Sequence, residues 1–241
     1  MPLTLSLQRR DFQPEILTKT KNNMPNTNTI PSGFPDIDAH AGGLLKGGVF
    51  LVKTLEQEGE ELQDFMMAEI KQLAVESRLR VLVASLQMDE RALAMDLTMN
   101  ETPSGIKTLM NAEIAVMTKE KDDTWKDVLE DIEHYAPEFK ADVVIIDGMD
   151  SAVPEPAKGV MDTSVIDGLL ATARRTGLPL VVSDYDNKIE VGIHRNDKVT
   201  EMEIKTDIHD TVQAAVYSNG KKTLIDDLYG LWKVFLKTLK E

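Results

Sequence analysis

Four carboxylates, Glu56, Glu58, Glu60 and Glu61, crowd a short turn between the runs GGVFLV and LQDFMMAEIKQLAVES. The first run reads as a buried strand and the second as a helix. A strand–turn–helix is where a chain cradles phosphate, because the helix N-terminus offers unpaired N–H groups and a partial positive charge. Cations are scarce here: after Lys53 the next is Lys71. The turn has the place of an anion site and the wrong charge for one. Further on, Asp147 closes the apolar run VVIID, and Asp150 follows it. His40, His134, His194 and His209 lack metal-ligand spacing, so no metal is expected. No Ser/His/Asp set can be argued from spacing. The chain has no cysteine, which excludes disulfides, thiolate ligands and cysteine nucleophiles. Met66, Met67, Met88 and Met95 read as core filler.

The elements that must position these residues alternate. GVFLVKT (48–54) is a strand and 60–77 a helix. RVLVASL (80–86) is a strand, and DERALAMDLTM (89–99) a helix with Asp89 as its N-cap. EIAVMT (113–118) is a third strand, followed by a helix ending near Pro137. ADVVIIDG (141–148), apolar on both faces, is a central parallel strand. A helix closed by Gly177 leads to LPLVVSDY (178–185). This rhythm implies an α/β fold with a mostly parallel sheet between helices. KIEVGIHRND and KVTEMEIKTD read as a late hairpin turning near Asn196-Asp197-Lys198. The division is a flexible N-terminal arm (1–30), a core domain (31–220) and a C-terminal amphipathic helix (221–241) carrying Leu228, Leu231, Trp232 and Phe235.

The chain has 241 residues, 42% of them apolar, enough for a sizeable core, and a formal net charge of -14. An acidic surface repels polyphosphate and argues against non-specific nucleic-acid binding. No apolar run reaches the roughly 18 residues of a membrane span, and the N-terminus lacks secretory-signal features. A cytoplasmic protein is expected.

TIPSGFPDIDAHAGGLLKGGVFLV resembles the opening of the RecA-like ATPase domain of DnaB-type replicative helicases, with its T-G-F-x-x-L-D-x-x-x-G-G-L-x-x-G pattern. Archaeal and circadian RecA-like ATPases share a looser version. Later segments follow in the family's order: SLQMDERALAMDLT resembles S-L-E-M-x-x-x-x-L-x-x-R-L, VVIIDGMD the Walker B strand, and IDGLLATARRTGLPLVVSD the helix and strand ending in a polar sensor position. IHRNDKVTEMEIKTD resembles the hairpin whose K-x-R residues reach a neighbour's nucleotide. The resemblance covers roughly residues 29–207. It implies a RecA-like P-loop NTPase fold with a late β-hairpin.

The family's chemistry does not carry over. A P-loop, G-x-x-x-x-G-K-[ST], needs phosphate-facing backbone, a lysine and a hydroxyl for Mg²⁺. Here the first Gly falls on Thr54, the second on Gly59, the Lys on Glu60 and the hydroxyl residue on Glu61. At an effective dielectric of 20, each close like-charge pair costs about 4 kcal/mol. The acidic residue that polarises water in S-L-E-M is Gln87, an amide that cannot serve as general base. Asp147 keeps the Walker B position, Asp150 replaces a polar coupling residue, and only DYDNK stands where DNA-contacting loops would lie. Arg195 holds the arginine-finger position, while Ile193 replaces the accompanying lysine.

The expectation is therefore a degenerate relative with no catalytic residues and no cofactor. It would act by assembly as a homo-oligomer, or on a helicase or recombinase as loader, inhibitor or structural subunit, in replication or recombination, with a phage or plasmid setting suggested by the family. Two alternatives stay open. One is an active NTPase drawing cations from Lys53, Lys46 or a neighbour's Arg195; the other is an ATP-independent nucleic-acid-binding module.

Overall fold

The structure, a computed structural model, describes residues 28–54, 60–155, 162–192, 198–206, 212–218 and 220–225. Ten strands and six α-helices are described: β1 (Thr29–Ile30), α1 (Pro35–Ala41), β2 (Leu44–Leu45), β3 (Val49–Thr54), α2 (Glu60–Lys71), β4 (Val81–Ser85), α3 (Glu90–Thr98), α4 (Pro103–Met110), β5 (Ile114–Thr118), α5 (Trp125–Phe139), β6 (Val143–Asp147), α6 (Ser164–Thr176), β7 (Leu180–Asp184), β8 (Val199–Thr206), β9 (Val212–Ser218) and β10 (Lys221–Ile225). β1 and β2 make a small antiparallel pair. The other eight form one sheet, ordered β10-β9-β8-β3-β7-β6-β4-β5. From β5 to β8 every pairing is parallel; β9 and β10 are antiparallel.

Alternation along the strands sorts the apolar residues to two faces. Phe50, Val52, Val83, Ile145 and Val181 pack with α1, α2 and α3 through Ile37, Phe65, Met66, Ile70, Leu93 and Leu97. Leu51, Leu82, Ile146 and Val182 pack with α5 and α6 through Val128, Ile132, Ile166 and Leu169. Every residue of β3, β4, β6 and β7 is buried, as a parallel sheet covered on both faces requires. Asp89 caps α3 as expected, accepting from the Ala92 N–H, and Gly177 closes α6 at φ 71°. Among the described residues, no helix is long and apolar enough to cross a membrane.

Several expectations are corrected. KIEVG does not pair as a strand. Its backbone donors are taken by a side chain, because the Lys188 and Ile189 N–H groups both donate to Asp184, at 2.9 and 2.8 Å. The late hairpin is instead β8 with β9, and β8 lies parallel to β3. Residues 221–225 are not the start of a helix but strand β10, in register Lys221↔Ser218 with β9. The rest of the proposed C-terminal helix, residues 226–241, lies outside the described residues. So does the arm up to residue 27, whereas Thr29 and Ile30, assigned to it, are paired with β2. α5 runs through Pro137 to Phe139 before Lys140 closes it in a left-handed conformation. The 60–77 helix is α-helical to Lys71 and then π-helical over Gln72–Glu76. Two helices were not foreseen: α1, with Pro35 in its first turn, and α4, where Thr102 accepts from the Gly105 N–H beside Pro103.

Candidate functional site

Parallel pairing brings the C-terminal ends of β3, β7, β6 and β4 to one edge of the sheet. Lys53 stands opposite Asp184, and Ser85 opposite Asp147. This is the edge where open α/β sheets take ligands.

Asp147 ends β6 and is 1% exposed. Its Oδ1 accepts the Ser183 hydroxyl at 2.9 Å and the Tyr185 phenol at 2.9 Å. Burial pushes its carboxyl up despite those two donors. Ser183 is also an acceptor, taking the Gly148 N–H at 2.7 Å. Tyr185 is raised too, by burial first and then by the Asp147 charge. Asp150, buried in the short 3₁₀ turn after β6, accepts the Tyr185 N–H at 3.0 Å. Burial lifts it to about 6, and Asp184 and Asp186 add repulsion.

Gln87 is exposed, yet its stem lies over the turn after β6. Gly148, at φ 81°, has no room for a Cβ, which would sit 2.4 Å from Gln87 Cγ. The Leu86 N–H donates to the Asp147 backbone oxygen at 2.9 Å, holding the two strand ends together. The structure thus lays the Gln87 side chain against Gly148, the residue that follows Asp147.

Lys53, at the end of β3, points inward. Its ammonium donates to the Ile189 carbonyl at 2.6 Å and lies 3.4 Å from Glu201 and 3.9 Å from Asp184. Asp184, wholly buried, is raised by desolvation, with the two backbone donors and Lys53 acting against the rise. Thr54 is buried, and its carbonyl accepts the Asn187 side-chain amide at 2.7 Å. Glu60 and Glu61 form the first turn of α2. Gly59 and Arg195 lie outside the described residues. Lys46 sits before β3, at the opposite edge, where it acts on Asp142 at the start of β6. A strand of this length separates the two edges by about 17–20 Å.

No protein-family model matches the chain, and no curated protein matches it.

Among the described residues, the ends of these strands gather the carboxyl groups of Asp147, Asp150 and Asp184 with the ammonium groups of Lys53 and Lys188, the latter paired with Glu155 and Asp186. Among the described residues, no group of three or more His, Asp or Glu is arranged to hold a metal ion. Sequence reasoning missed the roles of Ser183, Asp184, Tyr185, Asn187 and Glu201. The tripeptide Ser183-Asp184-Tyr185 at the end of an apolar strand was the available signal. Glu201 gave none, because its burial follows from β8 lying against β3, a pairing between distant segments.

Proposed function

We propose that the chain is a non-catalytic relative of the RecA-like motor domains, acting through protein–protein assembly in DNA replication or recombination, as an oligomer or as a loader, inhibitor or structural partner of a helicase- or recombinase-type ATPase. The observation that carries this reading is Lys53. Its ammonium donates to the Ile189 carbonyl and faces the buried Glu201 and Asp184, which draws it away from the strand edge where a triphosphate would lie. Asp147 supports it as well. The oxygen that would hold a metal's water accepts two hydroxyls. The strand order is consistent with the reading, since β3 has β7 beside it and β6 one place further.

The NTPase alternative draws on Lys53, Lys46 or a neighbour's Arg195, the last of which lies outside the described residues. The first is engaged and the second sits at the far edge, so within the described residues neither serves it. Calorimetric titration of the full chain with ATP and ADP in the presence of Mg²⁺ tests the proposal. No heat of binding is expected. Micromolar binding, or turnover abolished by Asp147→Ala, would overturn it.

A further inference from the structure

The two edges of the large sheet differ. β10 carries Lys221 and Lys222, both exposed, and charged lysines blunt an edge against pairing. β5 carries Ile-Ala-Val-Met-Thr, with neither charge nor proline. Among the described residues β5 pairs only with β4. β4 is buried throughout, whereas Ile114, Ala115, Val116 and Met117 are each half-buried and Thr118 is exposed. Beside this strand lies the α3–α4 crossover, with Met95, Met99 and Met110 at 63, 60 and 62% exposure. Leu224 is as exposed on β10, but it stands beside the two lysines, whereas exposed apolar side chains next to an uncharged strand edge suit an interaction site.

The flanking charges decide what fits it. The stretch reads Glu113-Ile-Ala-Val-Met-Thr-Lys119. Laid antiparallel on itself about Val116, it sets Glu113 against Lys119 at both ends, Ile114 against Thr118, and small Ala115 against long Met117. The backbone agrees with this register. The Val81 N–H donates to the Glu113 carbonyl at 2.9 Å, so Glu113, Ala115 and Met117 turn their backbone groups toward β4. Alternation then leaves the N–H and C=O groups of Val116 and Thr118, and the Ile114 carbonyl, facing outward. The Ile114 N–H is turned to Ala112, at 3.2 Å. Outward groups at Val116 are what a two-fold axis through that residue requires, since the two copies then exchange both bonds.

The geometry points to a second copy of this chain as the occupant: β5 pairs antiparallel with β5 of another molecule about Val116, joining two sheets into one. Lys119 now reaches the Ser151 carbonyl at 3.5 Å, a contact loose enough to exchange for Glu113 of the other copy. The surface gives the assembly reading above a place and a symmetry. Its test reads association and not nucleotide, so either can fail alone.

The test uses light scattering and sedimentation of the full chain over a concentration series. A dimer is expected, not an open-ended polymer. Glu113→Lys, at an exposed position, sets like charges at both ends of the strand pair and weakens the dimer by about tenfold or more. Lys119→Glu does the same, and the two together restore it, which a folding defect would not. Because the chain has no cysteine, Val116→Cys places one thiol on the axis. Opposite residues in such a bonded pair lie about 5.5 Å apart between Cα atoms, within disulfide reach. Oxidation should link Val116→Cys into a dimer, and Ala115→Cys, facing Met117, should link far less. A wild type that stays monomeric, a dimer indifferent to Glu113→Lys, or a dimer that Val116→Cys fails to link overturns the inference.

Discussion

Tyr185 donates its phenolic proton to the same Asp147 oxygen that receives the Ser183 hydroxyl, each at 2.9 Å. Two neutral donors thus stabilise a carboxyl group that burial drives toward its protonated form. Tyr185→Phe removes one donor and keeps the ring. The expected loss is about 1–3 kcal/mol, read as a lower urea midpoint with an unchanged slope. An unchanged midpoint would mean that the phenol contributes nothing at this site.

Lys53 is expected to matter for stability. Lys53→Met leaves Asp184 and Glu201 buried without their cation. Removing one partner of a buried ion pair costs about 3–5 kcal/mol. Thermal and urea unfolding should both show it, and Mg-ATP should raise the midpoint of neither the variant nor the wild type.

Glu69 lies on α2, 1% exposed, and among the described residues neither carboxylate oxygen has a hydrogen-bond partner. It stands one turn beyond Phe65, whose ring stacks on Phe34 at 5.2 Å, and Asp38 stands one turn beyond Phe34 on α1. Burial first, and the Asp38 charge second, hold Glu69 well above the usual carboxylate range. The folded chain therefore keeps a proton that the unfolded chain releases near pH 4.3. For this group, stability is highest below that pH and falls as pH rises toward the folded value. Asp150, lifted to about 6, has the same sign over roughly pH 4–6. Glu69→Gln should flatten the fall measured by denaturation between pH 5 and 9. Glu69→Met should stabilise at pH 8 by about 1–3 kcal/mol. A less stable Glu69→Met variant would show that the carboxylate has a partner.

Gly148 is held by two separable constraints, a positive φ and the Gln87 stem. Gly148→Ala should cost about 1–3 kcal/mol, combining left-handed strain with overpacking. Adding Gln87→Ala should recover the packing part and leave the rest. A double-mutant cycle of denaturation free energies separates them.

How much of this was legible in the sequence depended on how local the cause was. The strands of 49–54, 81–85 and 143–147 showed as apolar runs, and Asp89 and Gly177 as helix ends, because each depends on a few neighbouring residues. The β9–β10 hairpin was also legible in principle, because the sequence carries Asn-Gly between Ser218 and Lys221, a dipeptide that favours two-residue turns. An apolar-periodic reading of 224–239 outweighed it. KIEVG misled because its alternation is real, with Ile189 and Val191 buried, while its backbone is tied to Asp184. The burial of Lys53 and Glu201 was invisible, since it is created by β7 and β8 closing on β3 from about 130 and 150 residues away. A separation of 38 residues hid the Tyr185–Asp147 contact.

That central place of β3 governs how the protein can be made. Val49–Thr54 leaves the ribosome well over a hundred residues ahead of the strands that cover its two sides, Leu180–Asp184 and Val199–Thr206. Such long-range closure is slow and leaves sticky intermediates. Until those two strands emerge, the nascent chain carries the apolar run Val49–Val52 uncovered, which makes it a natural client for chaperones and makes any stop between β3 and residue 199 a recipe for aggregation, not a smaller working protein.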